Sequence, residues 1–305
     1  MKISVILTGR NDDYGGRFRD RLSTTVRYNM REFQRHGIDG ELVFVEWNPP
    51  RDRELLAHAV TQEFEQAACF VVDHEVHRHI CENRHIELYE YYAKNIGAAR
   101  AAGDWLLVTN PDIVFGQDVF ESLATGELDE STMYRASFAR IHDLSEMAQA
   151  EAVDLDQTAP FHRHAGDFLC CHRRLFDQVG GFREDLPFTN TFKDALFCKA
   201  AFAATGKARK IGTVYHMEHE RDNHARRRLE FDVDRVPLTP QSHYGLANIC
   251  EAVTLAERVV QLRLRPEWRS AAAGKQLPEP VVPRHLRKLP KLIRKFRNRF
   301  LRKSA

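Results

Sequence analysis

Tyr92-Ala93-Lys94-Asn95-Ile96-Gly97-Ala98-Ala99-Arg100-Ala101-Ala102-Gly103-Asp104-Trp105-Leu106-Leu107-Val108-Thr109-Asn110-Pro111-Asp112 is the stretch whose reading sets the fold class. Its first half reads as a helix of small residues stopped at Gly103, and small side chains let a helix lie close to another backbone. Trp105–Thr109 follows as an apolar run of strand length. Asn110-Pro111-Asp112 ends that strand and leaves a carboxylate just past its C-terminal end. Open α/β sheets bind ligands in the crevice at that end. A polar-x-Asp tip there is placed to hold a divalent cation against a diphosphate. Asn-Pro-Asp is also good turn chemistry, so taken alone Asp112 reads equally as a turn residue.

The same alternation continues on both sides. Ile3–Leu7 is a short buried strand ended by Thr8-Gly9-Arg10-Asn11-Asp12-Asp13. Residues 18–36 read as a helix with Leu22, Val26, Met30 and Phe33 on one face, stopped by Gly37. A strand over 41–46, a helix over 52–67, a strand over 69–73, a His-rich loop over 74–84 and a helix over 86–102 complete the first half. Strand and helix in alternation predict a mainly parallel sheet with right-handed crossovers. In the second half the pattern predicts strands over 132–141, 168–172 and 208–216, and helices over 173–179, 191–205 and 243–260.

The chain has 305 residues with 43% hydrophobic and 29% charged, ordinary for a soluble globular protein. Ten of its 45 basic residues fall in 284–303, which holds no acid, so the rest of the chain is acidic on balance. Six cysteines, at 69, 81, 170, 171, 198 and 250, form no CxxC pair and suit buried free thiols in a reducing compartment. The N-terminus lacks a signal-peptide pattern and no apolar run approaches a membrane span, which leads to the expectation of a cytoplasmic protein.

Taken in order, these pieces resemble nucleotide-sugar glycosyltransferases of the GT-A fold, close to glycosyltransferase family 2, over roughly residues 1–225. Ile3 to Asn11 resembles the first strand and nucleotide loop, and Val45-Glu46-Trp47-Asn48 stands where that family places an acid after its second strand. Lys94-Asn95-Ile96-Gly97 with Ala102-Gly103-Asp104 resembles the N-x-G and A-x-G-(D/E) helix. Asn110-Pro111-Asp112 stands at the DxD position, with Asn110 in place of the first acid. Gly166-Asp167-Phe168 through Gly180-Gly181-Phe182 resembles the acceptor-side segment, and Lys193-Asp194 stands at the (E/D)-D catalytic position with Lys193 in place of the acid.

The resemblance implies a GT-A, Rossmann-like, mostly parallel sheet flanked by helices: a donor half over 1–115 and an acceptor and catalytic half over 116–265. It implies inverting transfer of a sugar from a nucleotide-diphosphate donor, UDP favoured, to a glycan or lipid-linked hydroxyl, with Mn²⁺ or Mg²⁺ as cofactor. Thr8, Arg10, Asn11, Glu46, Asn95, Asn110 and Asp112 are the expected donor contacts, and Asp167, Gly181 and Phe182 the acceptor contacts. Asp112 with His216 and His219 is the expected metal set, His224 being a further histidine of the same run. Asp194, near a helix start, is the expected base, with the neighbouring Lys193 expected to lower its pKa. Trp47 reads as a stacking or a core residue, and the histidines at 74, 77, 79 and 85 as solvated loop residues.

Residues 266–283 read as a linker. The tail, 284–305, carries Leu286, Leu289, Ile293, Phe296 and Phe300 at spacings of 3, 4, 3 and 4, with Arg and Lys on the other faces. That is a basic amphipathic helix suited to an anionic membrane surface, at the inner face for a cytoplasmic protein; no specific nucleic acid is expected. A catalytically inactive glycan-binding or membrane-associated module on the same fold stays open because of Asn110 and Lys193. A sugar nucleotidyltransferase would want a Gly-rich, Arg- and Lys-bearing phosphate loop, which Thr8-Gly9-Arg10-Asn11 does not supply.

Overall fold

Burial of alternate faces along the first strands organises the molecule. The computed structural model describes residues 1–153, 166–220, 229 and 231–288. β1 (Lys2–Gly9) runs parallel to β2 (Asp39–Trp47) on one side and to β4 (Trp105–Thr109) on the other. Ile3, Val5 and Leu7 point into one core layer with Leu22, Val26 and Phe33 of α1 (Phe18–Arg35). On the opposite face, α4 (Glu90–Arg100) lies on β1 and β2 at Gly97, where a Cβ would stand 2.6 Å from Ile6 Cγ2. This close approach is what the small residues of the helix permit.

β3 (Ala67–Val72) continues the parallel set beyond β2, and α2 (Leu56–Glu63) and α3 (His74–Ile80) flank it. After β4 come β5 (Ile113–Phe115), α5 (Gln117–Ala124), β6 (Met133–Ile141), β7 (Phe168–His172), α6 (Arg173–Val179), α7 (Lys193–Thr205) and β8 (Ala208–Met217). β9 (Cys250–Ala256), β10 (Val259–Leu264) and α8 (Pro266–Ala272) follow. The ten strands form one sheet in the order β5-β8-β6-β7-β4-β1-β2-β3-β10-β9. The block β4-β1-β2-β3-β10 is wholly parallel, while β7 and β5 pair antiparallel with their neighbours. The chain order reverses at β1, with β2 and β3 to one side and β4 to the other.

The sequence expectations need revision at four places. Residues 243–260 are not a helix: Cys250–Ala256 and Val259–Leu264 form a hairpin turned at Arg258, at φ 61, and β10 buries Val259, Leu262 and Leu264 beside β3. The β9 strand is an edge with few buried side chains, so its apolar pattern was weak. The His-rich loop is largely a helix, α3, whose start is capped by Asp73 accepting from Glu75 N. The expected linker begins with α8, whose Ala272 is buried. Leu286, assigned to the exposed tail, is instead buried against Leu186, Phe188, Leu196, Phe231 and Val236. The remaining stripe residues Leu289, Ile293, Phe296 and Phe300, and His224, lie outside the described residues.

All six cysteines are free and buried. Burial pushes the thiols of Cys69, Cys170 and Cys250 up to about 12 and that of Cys198 to about 11. Lys193 is also fully buried; its ammonium lies 4.4 Å over the Tyr92 ring and has no hydrogen-bond partner among the described residues. Desolvation pulls it down to about 7 against the attraction of Glu184 and Asp185. It points into the core, so its charge is set against Glu184 and Asp185 rather than against the neighbouring Asp194.

That placement fixes a sign for the pH dependence of stability. Between about pH 7 and the ordinary value of 10.5, Lys193 is neutral when folded and charged when unfolded. Unfolding then takes up a proton, so stability rises with pH across this window. Lys193→Met should remove that slope and raise the melting temperature at pH 7, because a buried ammonium without hydrogen-bond partners among the described residues is replaced by an apolar chain of similar length. Thermal unfolding between pH 6 and 10 measures it; a variant with the wild-type slope would put the ammonium in water.

Candidate active site

Two strand ends and one loop converge where the chain order reverses. β4 ends at Thr109, and the Asn110-Pro111-Asp112 turn is clamped by the polar face of α1. Thr25 Oγ1 donates to Pro111 O at 2.5 Å, Asn29 Nδ2 donates to Ile113 O at 2.9 Å, and Asn29 Oδ1 accepts from Phe115 N at 3.0 Å. β5 then pairs with β8 so that Ile113 faces His216, and Met217 N donates to Asp112 O at 2.9 Å. The register places the His216 imidazole beside the Asp112 carboxylate, Nε2 to Oδ2 at 3.5 Å. His219, two residues beyond β8, brings its Nε2 to 3.1 Å from the same oxygen.

One ligand atom from each of Asp112, His216 and His219 lies within 4.8 Å of the other two. Asp112 is 8% exposed, and its Oδ1 and the His216 Nδ1 are buried with no hydrogen-bond partner among the described residues. Buried polar atoms are ordinarily satisfied, so two orphans on one three-residue group mark a place for a ligand. His219 Nδ1 lies 2.9 Å from Glu220 O; with Nδ1 as the N–H donor to that carbonyl, Nε2, now hydrogen-bonded to Asp112, is the nitrogen that would coordinate an ion once it gives up its proton. Burial works to raise the Asp112 carboxyl, but the His219 hydrogen bond and the two imidazoles outweigh it and hold it below the ordinary range. The same bond raises His219. An oxygen and two imidazole nitrogens fit a divalent transition ion such as Mn²⁺ better than Mg²⁺, which prefers an all-oxygen shell.

The loop after β1 closes over this group. Arg21, itself buried, donates to the carbonyls of Tyr14, Gly15 and Gly16 and so fixes the loop from beneath. Asp13 Oδ1 accepts from Phe18 N and so ties the loop to the start of α1. Tyr14 packs edge-on against His219 with ring centroids 5.2 Å apart. Gly15 sits at φ +66, where a Cβ would fall 2.3 Å from His219 Nδ1, so glycine is required twice over.

A cavity of about 370 Å³ opens beside the cluster. Thr8, Arg10, Asn110, Asp112, His216 and His219 line it, as do Asp12, Tyr14, Glu87, Glu90, Asn190 and Thr191. Arg10 spans its floor, held by Asp12 at 2.8 Å, Glu87 at 3.3 Å and Asn48 O at 2.8 Å. Thr8 Oγ1 donates to Val45 O.

Other expected contacts are engaged elsewhere. Glu46 is fully buried; its Oε2 accepts from Ala57 N in the first turn of α2, and burial raises its carboxyl to about 7. Asn11 Nδ2 donates to Glu54 O, away from the cavity. Asn95 ties α4 to the turn after α6: Nδ2 donates to Phe182 O and Glu184 Oε1, and Oδ1 accepts from Phe182 N. Gly181 is in that turn at φ +69, with no room for a Cβ beside Asn95 Oδ1, 2.7 Å away. Phe182 is 2% exposed, packed on Tyr91, Phe176 and Phe197. Trp47 donates Nε1 to His77 Nδ1 within an aromatic cluster and has no face on the cavity. Asp167 is not among the lining residues either; it accepts from Nδ2 of Asn110, which is, at 2.9 Å.

Asp194, the expected base, is half-buried and is not among the residues that line the cavity; it lies near Glu90, which does. A Cβ at Gly166 would be 3.6 Å from Asp194 Oδ2, 3.8 Å from Glu90 Oε1 and 2.8 Å from Tyr91 Oη, so two carboxylates and a phenol surround one backbone position. The sequence reading missed Tyr14, Arg21, Glu90, Asn190 and Thr191. The paired glycines at 15 and 16 were the available signal for the loop; nothing local marks Glu90.

No protein-family model matches the chain, and no curated protein matches it. Among solved structures, the catalytic domain of Drosophila β1,4-galactosyltransferase 7 in complex with xylobiose is similar over 88% of this chain and 98% of that one, at 12% identity and a TM-score of 0.45. At that distance the chemistry has to be read from the site itself.

Gly15→Ala tests the loop. It should displace His219 and weaken Mn²⁺ binding at least tenfold by calorimetry, while Gly16→Ala, whose Cβ would meet nothing within 4 Å, changes it far less; that threshold corresponds to about 1.4 kcal/mol. Equal effects would mean that backbone strain, not the His219 contact, is responsible.

Proposed function

We propose that the chain is a metal-dependent inverting glycosyltransferase that moves a sugar from a nucleotide-diphosphate donor, UDP favoured, to a hydroxyl of a glycan or lipid-linked acceptor. The observation that carries this reading is the Asp112–His216–His219 group inside a cavity at the strand ends where the sheet order reverses. A divalent cation held there would neutralise charge on a diphosphate leaving group. Arg10 offers a fork-shaped cation on the same floor, matched to phosphate oxygens. Thr8, Asp12 and Tyr14 give the nucleotide a polar and aromatic rim.

In the reaction, Asp194 takes the proton of the acceptor hydroxyl as its oxygen bonds to the anomeric carbon. The bond from that carbon to the diphosphate breaks, and the nucleotide leaves with the electron pair. One displacement inverts the centre. Glu90, half-buried on the cavity wall and already paired with Lys94, is suited to accept a further hydrogen bond from a sugar hydroxyl. An inactive glycan-binding module on the same fold would keep the metal group and lack turnover.

Asp112→Asn should abolish Mn²⁺-dependent UDP binding in calorimetry with the fold intact. Asp194→Asn should keep donor affinity and lower transfer by roughly 10²–10⁴-fold. UDP affinity indifferent to Mn²⁺ in the wild-type chain removes the metal reading; a wild-type chain that binds UDP but transfers nothing across a donor and acceptor panel is a binding module.

The tail adds a location. No described helix is long and apolar enough to cross a membrane, and the ten basic residues of 284–303 favour an anionic surface, the inner face of a membrane for a cytoplasmic enzyme. Because Leu286 is buried, the clean cut is after Lys288 rather than at Pro283. That shortened chain should keep its melting temperature and transfer to a soluble acceptor, and lose flotation with phosphatidylserine vesicles. Undiminished flotation would rule the tail out as the anchor.

A further inference from the structure

Asn110 stands where the metal motif of similar enzymes begins with an acid, and both ends of its side chain are engaged. Oδ1 accepts from Lys94 Nζ at 2.7 Å, and Nδ2 donates to Asp167 Oδ1 at 2.9 Å. Lys94 is wholly buried on α4, and its ammonium also reaches the Glu90 carboxylate at 2.5 Å and Gly166 O at 3.2 Å. The result is a continuous chain Glu90–Lys94–Asn110–Asp167. It crosses from α4, over the end of β4, to the entrance of β7.

The two neighbours decide which residue can stand between them. An ammonium only donates and a carboxylate only accepts. A side chain of this size linking both must accept at one end and donate at the other, which an amide does and a carboxylate does not. An aspartate in this position would meet Lys94 well and set two carboxylates face to face at the Asp167 end. The same logic assigns the amide orientation, since the opposite flip would turn NH₂ toward the ammonium.

We infer that Asn110 is a positioning residue and not a degenerate metal ligand. Its amide braces Lys94 and Asp167, holds Glu90 on the cavity wall, and leaves the ion to Asp112, His216 and His219 alone. The departure from the acid of the family pattern is then a requirement of this chain's own charge arrangement. The inference rests on the proposed metal reading only for the identity of the ligands; the brace itself is a property of the metal-free chain.

The experiment compares Asn110→Asp, Asp167→Asn and the charge-conserving swap Asn110→Asp with Asp167→Asn, all in the full-length protein. Melting temperature is read in chelator, and affinity is read by calorimetry with Mn²⁺ alone. Asn110→Asp should lower the melting temperature by roughly 5 °C or more, the order expected for a repelled, poorly solvated carboxylate. The swap should recover most of that loss, because the amide introduced at position 167 donates to the carboxylate introduced at position 110, which still accepts from Lys94. Neither variant should bind Mn²⁺ more tightly than wild type. A swap no more stable than Asn110→Asp overturns the brace. Tighter Mn²⁺ binding by Asn110→Asp or by the swap overturns the exclusion of residue 110 from the metal shell. If Asn110→Asp fails to fold, a folded swap supports the inference and an unfolded one defeats it. A wild-type chain that binds no Mn²⁺ would end the proposed function, while the melting temperatures would still decide the brace.

Discussion

Ile113 and His216 face each other across a ladder of only three residue pairs, and the surroundings of Asp112 follow from that register. A one-residue slip would turn the His216 side chain to the other face of the sheet. So short a ladder cannot hold its register alone. It is held from outside, by α1 through Thr25 and Asn29 and by β6 running beside β8. The polar residues buried on α1 are therefore part of the site, although none of them reaches the cavity.

The buried charges divide into two kinds. Lys94 has three acceptors, and Arg21 has three carbonyls. Each fixes a piece of backbone that carries or shapes the site, and the hydrogen bonds offset the cost of desolvation. Lys193 and Glu46 are different: among the described residues the Lys193 ammonium has no hydrogen-bond partner at all and Glu46 Oε1 has none, whereas Arg21 leaves only its Nε without one. Both show large shifts toward the neutral form, driven by burial. Proximity in sequence misleads here. Lys193 adjoins Asp194 along the chain, yet its ammonium is directed to the Tyr92 ring and the Glu184 side.

Much of the frame was legible in the chain. Apolar runs bounded by glycine or proline located β1, β2, β4 and β7, and the Gly97 contact justified the small-residue helix. The grouping of Asp112, His216 and His219 was legible because its members sit at or just past strand ends, where periodicity is strong and side-chain direction is set. Glu46, Asn11 and Asn95 matched motif positions, but what an Asn or Glu bonds to depends on turns folded from distant segments. Asn95 meets Phe182 and Glu184, separated from it by 87 and 89 residues. The β9–β10 hairpin was lost for a related reason. An edge strand with one half-buried face looks much like a weak helix until its partner β10, and β3 beyond it, are known.

The adjacent pair Cys170 and Cys171 has a consequence of another sort. In a strand, neighbours point to opposite faces, and these two fall in the two separate core layers on either side of β7. Cys69 shares the first layer, Cys198 the second, and Cys81 and Cys250 the third, beneath α3 and α8. With every thiol buried and held in its protonated form, none is a ready nucleophile while the chain is folded. The molecule thus carries its own set of silent chemical labels, distributed layer by layer, and the order in which they become alkylatable under rising denaturant would report which layer opens first.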